Sequence, residues 1–279
     1  MEHIDFMYIT NNPQIASAID GIVKRIWVDL EYLGKEERQK GMNTVKSNHT
    51  LADISLLRSH ITKSELLVRV NPIHPNSEQE INEAIDRGAD ILMLPMFKST
   101  QEVSSFLAFV NGRVKTTLLF ETKESVELID EILAMKGKGI NEVHVGLNDL
   151  HLSYGLTFMF ELLANGTVEK LCKIFQAHNI PYGFGGIAKI GEGLLPAEKI
   201  LAEHIRLKSS RVILSRSFCD TIPNDILEWK NEFEIGVKKI RDNEHLISNW
   251  TSTQFKQNIT EIQESVNNIV DIIKKRSNA

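Results

Sequence analysis

The stretch EVHVGLND, from Glu142 to Asp149, is an apolar run that stops at a glycine and is followed closely by a carboxylate. A short apolar run of this kind predicts a strand that is buried on both faces, as in a parallel sheet. A charged residue just after a buried strand needs an explanation, and the role of Asp149 at the carboxyl end of this strand is therefore the first question. Similar runs occur along the chain: DFMYIT, RIWVDLE, ELLVRVN, ILMLPM, TTLLFET, PYGFGGI and RVILSRSF.

Amphipathic helical patterns lie between most of these runs. Several have Glu or Asp in the first turn, and one stops at Gly88, as helices often do. Alternating strands and helices of this number predict an α/β protein, a (β/α)8 TIM barrel, over residues 1–220. A doubly wound open sheet is the alternative, but no GxGxxG motif follows the first strand.

Residues 221–279 predict C-terminal helices that extend the barrel. A helical pattern over 224–245 places five apolar residues on one face: Ile226, Trp229, Phe233, Val237 and Ile240. A second pattern has heptad spacing: Phe255, Ile259, Ile262, Val266, Ile269 and Ile273. Two alternatives stay open for this last helix, which packs either on its own barrel or on a neighbouring subunit of a homo-oligomer.

Composition excludes several classes of protein. A formal net charge of −5 and a pI near 6.0 argue against a nucleic-acid surface. No apolar run reaches the ~18 residues that a membrane span requires, and the first ten residues lack the basic region of a signal peptide. The two cysteines, Cys172 and Cys219, have no metal-ligand spacing, which favours free thiols in a reducing compartment. We therefore expect a cytoplasmic protein.

Polar side chains end several of the predicted strands. Because chemistry in a TIM barrel lies at the carboxyl ends of the strands, these residues are candidates for an active site. They are Asp29, Glu31 and Tyr32 (second strand), Arg69 (third), Glu121 (fifth), Asn148 and Asp149 (sixth), and Arg216 (eighth). Carboxylates repel one another unless a cation lies between them, and hard oxygen ligands favour Mg²⁺ or Mn²⁺. Glu121 and Asp149 are the candidate ligands, with a structural ion-pair network as the alternative.

Several of these strand ends also carry a family resemblance. The motifs VDLEY, VRV, GADILMLPM, LLFETKESVELIDEI and VGLNDLHLSYG occur in this order between Asp5 and Phe218. Together they resemble the HpcH/HpaI aldolase and citrate lyase β-subunit family, within the phosphoenolpyruvate/pyruvate barrel superfamily. Met96 follows Pro95 in LMLPM, which resembles the hydroxy-ketoacid aldolase branch; the acyl-CoA lyase branch commonly has a lysine there.

The resemblance implies a role for each matched residue. Glu121 and Asp149 would bind the divalent metal, which chelates the carboxylate and keto oxygens of a pyruvate-like 2-oxo acid. Arg69 would face the keto oxygen, and backbone N–H groups around Gly146, Asn148 and Asp149 would receive the carboxylate. The implied reaction is that of a metal-dependent aldolase or carbon–carbon lyase, whose enolate the metal and the arginine stabilise.

One position departs from the family pattern. The aldolase branch has the run D-x-E-H, in which the histidine is its candidate base, whereas Tyr32 takes that place here. A tyrosine, with an ordinary pKa of ~10, is a poor base at neutral pH. Asp29, Tyr32 and Arg69 are nevertheless the candidate catalytic residues. His74, His151 and a metal-bound water are alternative proton carriers, although both histidines are more simply surface loop residues.

The loop GFGGIAKIGEG, from Gly183 to Gly193, suggests another possibility for the substrate. With Arg216 it could bind a phosphate or other anion, unless its glycines only shape a tight loop. Two other functions remain open. One is an acyl-CoA lyase of citryl or malyl type, and the other is a non-catalytic barrel that binds an anionic metabolite.

Overall fold

The computed structural model describes residues 3–34, 48–218 and 225–277. Eight strands lie in these residues: Asp5–Ile9 (β1), Arg25–Asp29 (β2), Glu65–Arg69 (β3), Ile91–Leu94 (β4), Lys115–Phe120 (β5), Glu142–Val145 (β6), Tyr182–Ile187 (β7) and Arg211–Leu214 (β8). They follow one another in chain order in a closed parallel barrel, which confirms the predicted fold class.

Twelve α-helices occur in the same described residues. They are Pro13–Ile19 (α1), Leu51–Arg58 (α2), Ser77–Asp86 (α3), Thr100–Val110 (α4), Lys123–Glu127 (α5), Ile129–Leu133 (α6), Leu147–Ser153 (α7), Glu161–Ala164 (α8), Thr167–Ala177 (α9), Ala197–Arg206 (α10), Ile226–Ile247 (α11) and Ser252–Ser277 (α12). Within the described part of the chain, no helix combines the length and apolar content needed to cross a membrane.

The chain divides into two compact units. One is Met7–His144, and the other consists of Met1–Phe6 together with Val145–Ala279. The predicted domain boundary at residue 220 stays a prediction. In the Met7–His144 unit, buried strand residues such as Val28, Leu67 and Leu92 form the core.

The β2–β3 ladder fixes the position of the candidate site. Its register pairs Arg25 with Glu65 at one end and Asp29 with Arg69 at the other. Side chains alternate along a strand, so Arg25, Trp27 and Asp29 share one face of β2. Each end of the ladder therefore carries a pair of opposite charges, and a shift of register would separate both pairs.

The C-terminal helices lie within their own unit. The pattern predicted over 224–245 is confirmed as α11, where Trp229, Phe233 and Ile240 are buried. In α12, Ile262 and Val266 of the heptad seam are buried. Gln263 donates to the Ala164 carbonyl of α8, and Asn258 donates to the Lys199 carbonyl of α10. The last helix therefore contacts α8 and α10 of its own chain, and its packing on a neighbouring subunit stays a prediction.

Candidate active site at the ends of β2 and β3

Arg69 and Asp29 form a two-point ion pair where β2 and β3 end. Arg69 Nε lies 2.8 Å from Asp29 Oδ1, and Arg69 Nη2 lies 2.8 Å from Asp29 Oδ2. The strand register places the two residues side by side, and the Asp29 side chain is buried. A fork-to-fork pair of this kind fixes the plane of the guanidinium as well as its position.

Two further contacts restrict the same guanidinium. Glu31 Oε2 lies 3.2 Å from Arg69 Nη2, and the Trp27 ring centroid lies 5.3 Å from the central carbon of the guanidinium. The backbone N–H of Glu31 donates to Asp29 Oδ1 at 3.2 Å. We call Arg69, Asp29 and Glu31 the arginine cluster. No described residue receives a hydrogen bond from Nη1 of Arg69.

The carboxylates keep Arg69 charged although only 11% of its side chain is exposed. Burial alone would lower the pKa of the guanidinium, but Asp29 and Glu31 outweigh it and, together with Glu121, raise the pKa well above its ordinary value. When ionised, these three carboxylates and one guanidinium carry a formal charge of −2.

Glu121 follows β5 and is buried in the same unit. Its Oε1 accepts a hydrogen bond from the backbone N–H of Met96 at 3.0 Å. Met96 has a left-handed backbone with φ of 52°, which for a residue with a side chain costs about 1–3 kcal/mol. Nothing in the sequence predicted this conformation, since a glycine or asparagine is the usual signal for it.

The sequence reasoning also missed His49. The backbone N–H of Asp29 donates to His49 Nδ1 at 2.9 Å, so the proton of the neutral ring lies on Nε2. His49 directly precedes Thr50, the N-cap of α2, whose capping box with Asp53 fixes the start of that helix. The Thr-x-x-Asp pattern indicated where the helix starts, but no local pattern predicted the contact between His49 and Asp29.

Tyr32 is 66% exposed, and its backbone N–H donates to Asn71 Oδ1 at 3.0 Å.

The two histidines considered as alternative proton carriers make structural hydrogen bonds. His74 Nε2 lies 2.8 Å from Glu80 Oε2, and its Nδ1 accepts from the Asn76 N–H. His151 is buried in α7, with Nδ1 3.2 Å from the Leu147 carbonyl oxygen. The interpretation of His151 as a surface loop residue is wrong, because its ring lies on the buried face of a helix that the sequence reasoning did not predict.

The candidate substrate-binding and metal residues of the other unit lie at the start of α7. Gly146 is the N-cap of this helix, and Asn148 and Asp149 lie in its first turn. An acidic residue in the first turn interacts favourably with the helix dipole, which is a structural reason for Asp149 at this position. Gly146 has φ of −82°, so a residue with a side chain could adopt the same backbone conformation.

The predicted glycine-rich loop is shorter than expected, because residues 183–187 belong to β7. In the part that follows the strand, two backbone N–H groups already have acceptors within the chain. The Gly191 N–H donates to Glu198 Oε2 at 3.2 Å, and the Lys189 N–H donates to Ser217 Oγ at 3.2 Å. A carboxylate therefore already accepts one of the N–H groups that a phosphate would need, which favours the structural interpretation of the glycines. The Arg216 side chain lies outside the described residues, as does Cys219, whereas Cys172 is a buried free thiol.

The donor set suits a hard divalent cation better than a zinc cage. In the described residues, no three His, Cys, Asp or Glu side chains form a group that could enclose a metal. Mg²⁺ typically takes one or two carboxylates and completes its coordination with water and substrate oxygens. The buried carboxylate of Glu121, which interacts electrostatically with Arg69, fits this pattern of ligation.

Fold and site together define a (β/α)8 barrel with an oriented arginine and buried carboxylates at strand ends. The family model of the HpcH/HpaI aldolase/citrate lyase matches residues 26–161, from β2 to the first residue of α8. The matched segment includes Asp29, Arg69, Glu121 and Asp149, and it confirms the resemblance seen in the sequence. The match suggests activity of the aldolase or citrate lyase type. No curated protein matches the chain.

Proposed function

We propose that the protein is a divalent-metal-dependent aldolase or carbon–carbon lyase that acts on a 2-oxo acid through a pyruvate-type enolate. One observation carries this proposal. Arg69 is charged and oriented by two carboxylates with only 11% of its side chain exposed, while its Nη1 donates to no described residue. This oriented guanidinium lies at the carboxyl end of a barrel strand, which is where the active sites of TIM barrels lie.

The chemistry of a 2-oxo acid explains the need for such a group. The bond that breaks joins the carbon next to the keto group to the hydroxyl-bearing carbon beyond it. The hydroxyl loses its proton and its carbon leaves as an aldehyde or ketone, while the electron pair of the broken bond moves into an enolate and negative charge develops on the keto oxygen. A fixed donor at that oxygen lowers the barrier, and one such donor is typically worth about 3–4 kcal/mol. Arg69 Nη1 is the donor that we assign to this oxygen. Asp29 and Glu31 act by orienting Arg69.

Glu121 is the residue of the Met7–His144 unit that we assign to Mg²⁺ or Mn²⁺. The Met96 N–H orients one of its oxygens. Such a cation, when bound, acts as a Lewis acid toward the oxygens of the 2-oxo acid. Asp149 belongs to the other unit, and its assignment as a metal ligand rests on the family pattern.

Solvent exchange of pyruvate tests the proposal. The protein is incubated with pyruvate and Mg²⁺ or Mn²⁺ in D₂O, and the methyl signal is followed by proton NMR. The proposal predicts that the signal decays with enzyme and metal together and persists when EDTA is present. A persistent signal under conditions where the protein binds the metal would contradict the proposed enolate.

A further inference from the structure

A chain of hydrogen bonds connects the segments that follow β2 and β3. The side-chain oxygen of Asn71 accepts hydrogen bonds from two successive backbone N–H groups, those of Tyr32 at 3.0 Å and Leu33 at 3.2 Å. Asn71 is buried. One side chain beyond β3 therefore fixes the backbone immediately after β2, where Glu31 precedes Tyr32.

Glu80 in α3 fixes the orientation of this amide. Its Oε1 accepts from both the backbone N–H and the side-chain Nδ2 of Asn71, each at 3.0 Å. Its other oxygen lies 2.8 Å from His74 Nε2, and the His74 backbone N–H donates to Ser77 Oγ. Since Nδ2 must face a carboxylate, Oδ1 must face the N–H groups of Tyr32 and Leu33.

We propose that Asn71 is a positioning residue for the arginine cluster, and this inference rests on the proposed function of that cluster. Asn71 fixes the Tyr32 backbone, and the adjacent Glu31 contacts Arg69 Nη2 at 3.2 Å. A displacement of the Tyr32 backbone would therefore move one of the two carboxylates that orient the guanidinium. A misplacement of about 1 Å in such a site can reduce the rate about 100-fold.

Asn71→Asp tests the inference because it keeps acceptor oxygens for Tyr32 and Leu33 but removes the donor to Glu80. The new carboxylate lies against Glu80, and the like charges repel. We expect pyruvate exchange to slow by about 10–100-fold at saturating pyruvate and metal, with little change in KM. Adding Glu80→Gln removes one of the two charges, and the double variant should regain most of the lost rate.

Hydrogen exchange provides a readout that does not depend on activity. The peptide that contains Tyr32 and Leu33 should exchange faster in Asn71→Asp than in the wild type, and more slowly again in the double variant. If Asn71→Asp exchanged pyruvate at the wild-type rate, the inference would be overturned, whether or not amide exchange of this peptide became faster. If the wild type fails to turn over pyruvate, the proposed function fails, and amide exchange alone then decides whether Asn71 positions this backbone.

Discussion

Arg69 and Asp29 lie opposite each other in the β2–β3 register and form a two-point ion pair with both distances at 2.8 Å. The other end of the same ladder repeats the arrangement with reversed polarity, where Arg25 Nε lies 3.0 Å from Glu65 Oε2. In a TIM barrel the amino end of a strand contributes to stability and the carboxyl end to chemistry. The two arginines should therefore respond differently to substitution.

Glu121→Gln should weaken metal binding, because it replaces a buried anionic ligand with a neutral amide. We expect at least a tenfold loss of Mn²⁺ affinity, measured by electron paramagnetic resonance of the free ion. Glu124→Gln is the matched control, since its side chain is 44% exposed and its ion partner is Lys98. Equal affinities of the two variants would contradict the assignment of Glu121.

Glu142→Gln should lower the free energy of unfolding without acting directly on the reaction. Glu142 is buried at the start of β6, where it receives two hydrogen bonds from Arg25, at 2.5 and 2.9 Å, and one from Thr117 Oγ1. Removing one partner of a buried ion pair typically lowers the unfolding free energy by about 3–5 kcal/mol. Urea denaturation measures this loss. Lys115→Gln removes a half-exposed ion pair with Glu65 and should cost less than about 1 kcal/mol.

Glu65 should contribute to the loss of stability in acid. Burial would raise the pKa of its carboxyl, but Lys115 and Arg25 outweigh burial and lower the pKa below its ordinary value of 4.5. Because the pKa is lower in the folded than in the unfolded state, this stabilisation is present above pH 4.5 and is lost as the pH falls through the folded value. Glu65→Gln should therefore show a shallower decline in unfolding free energy below pH 4.5 than the wild type. Identical slopes would show that Glu65 does not contribute.

Val266→Asp should destabilise the protein because it buries an unpaired charge beneath α12. We expect a loss above about 3 kcal/mol in thermal or urea denaturation. Ile272→Asp, on the same helix at a side chain that is 51% exposed, is the control and should be nearly neutral. If Val266→Asp left stability unchanged, the packing of α12 on its own unit would be wrong.

The barrel was predictable because each strand is a short apolar run and several of these runs end on a polar residue. The ion pair of Arg69 with Asp29 could be expected only in outline, since both end neighbouring strands but the register is a tertiary property. Helix α7 was missed because its seven residues carry too little periodicity beside a strand. The left-handed Met96 and the contact between Asp29 and His49 depend on partners distant in sequence, which no local pattern reports.

Arg69→Lys tests directly whether the planar guanidinium stabilises the enolate. Lysine keeps the charge but lacks the planar fork, so it cannot pair with Asp29 at two points and also present a fixed donor. Pyruvate exchange in D₂O is measured at saturating metal, and folding is checked by thermal denaturation. The control is Arg87→Lys, because Arg87 is a partly exposed arginine directly after α3. We predict that Arg69→Lys lowers the rate by about 100–1,000-fold while Mn²⁺ affinity and the control rate remain unchanged. An Arg69→Lys protein that exchanges pyruvate at the wild-type rate would contradict the account.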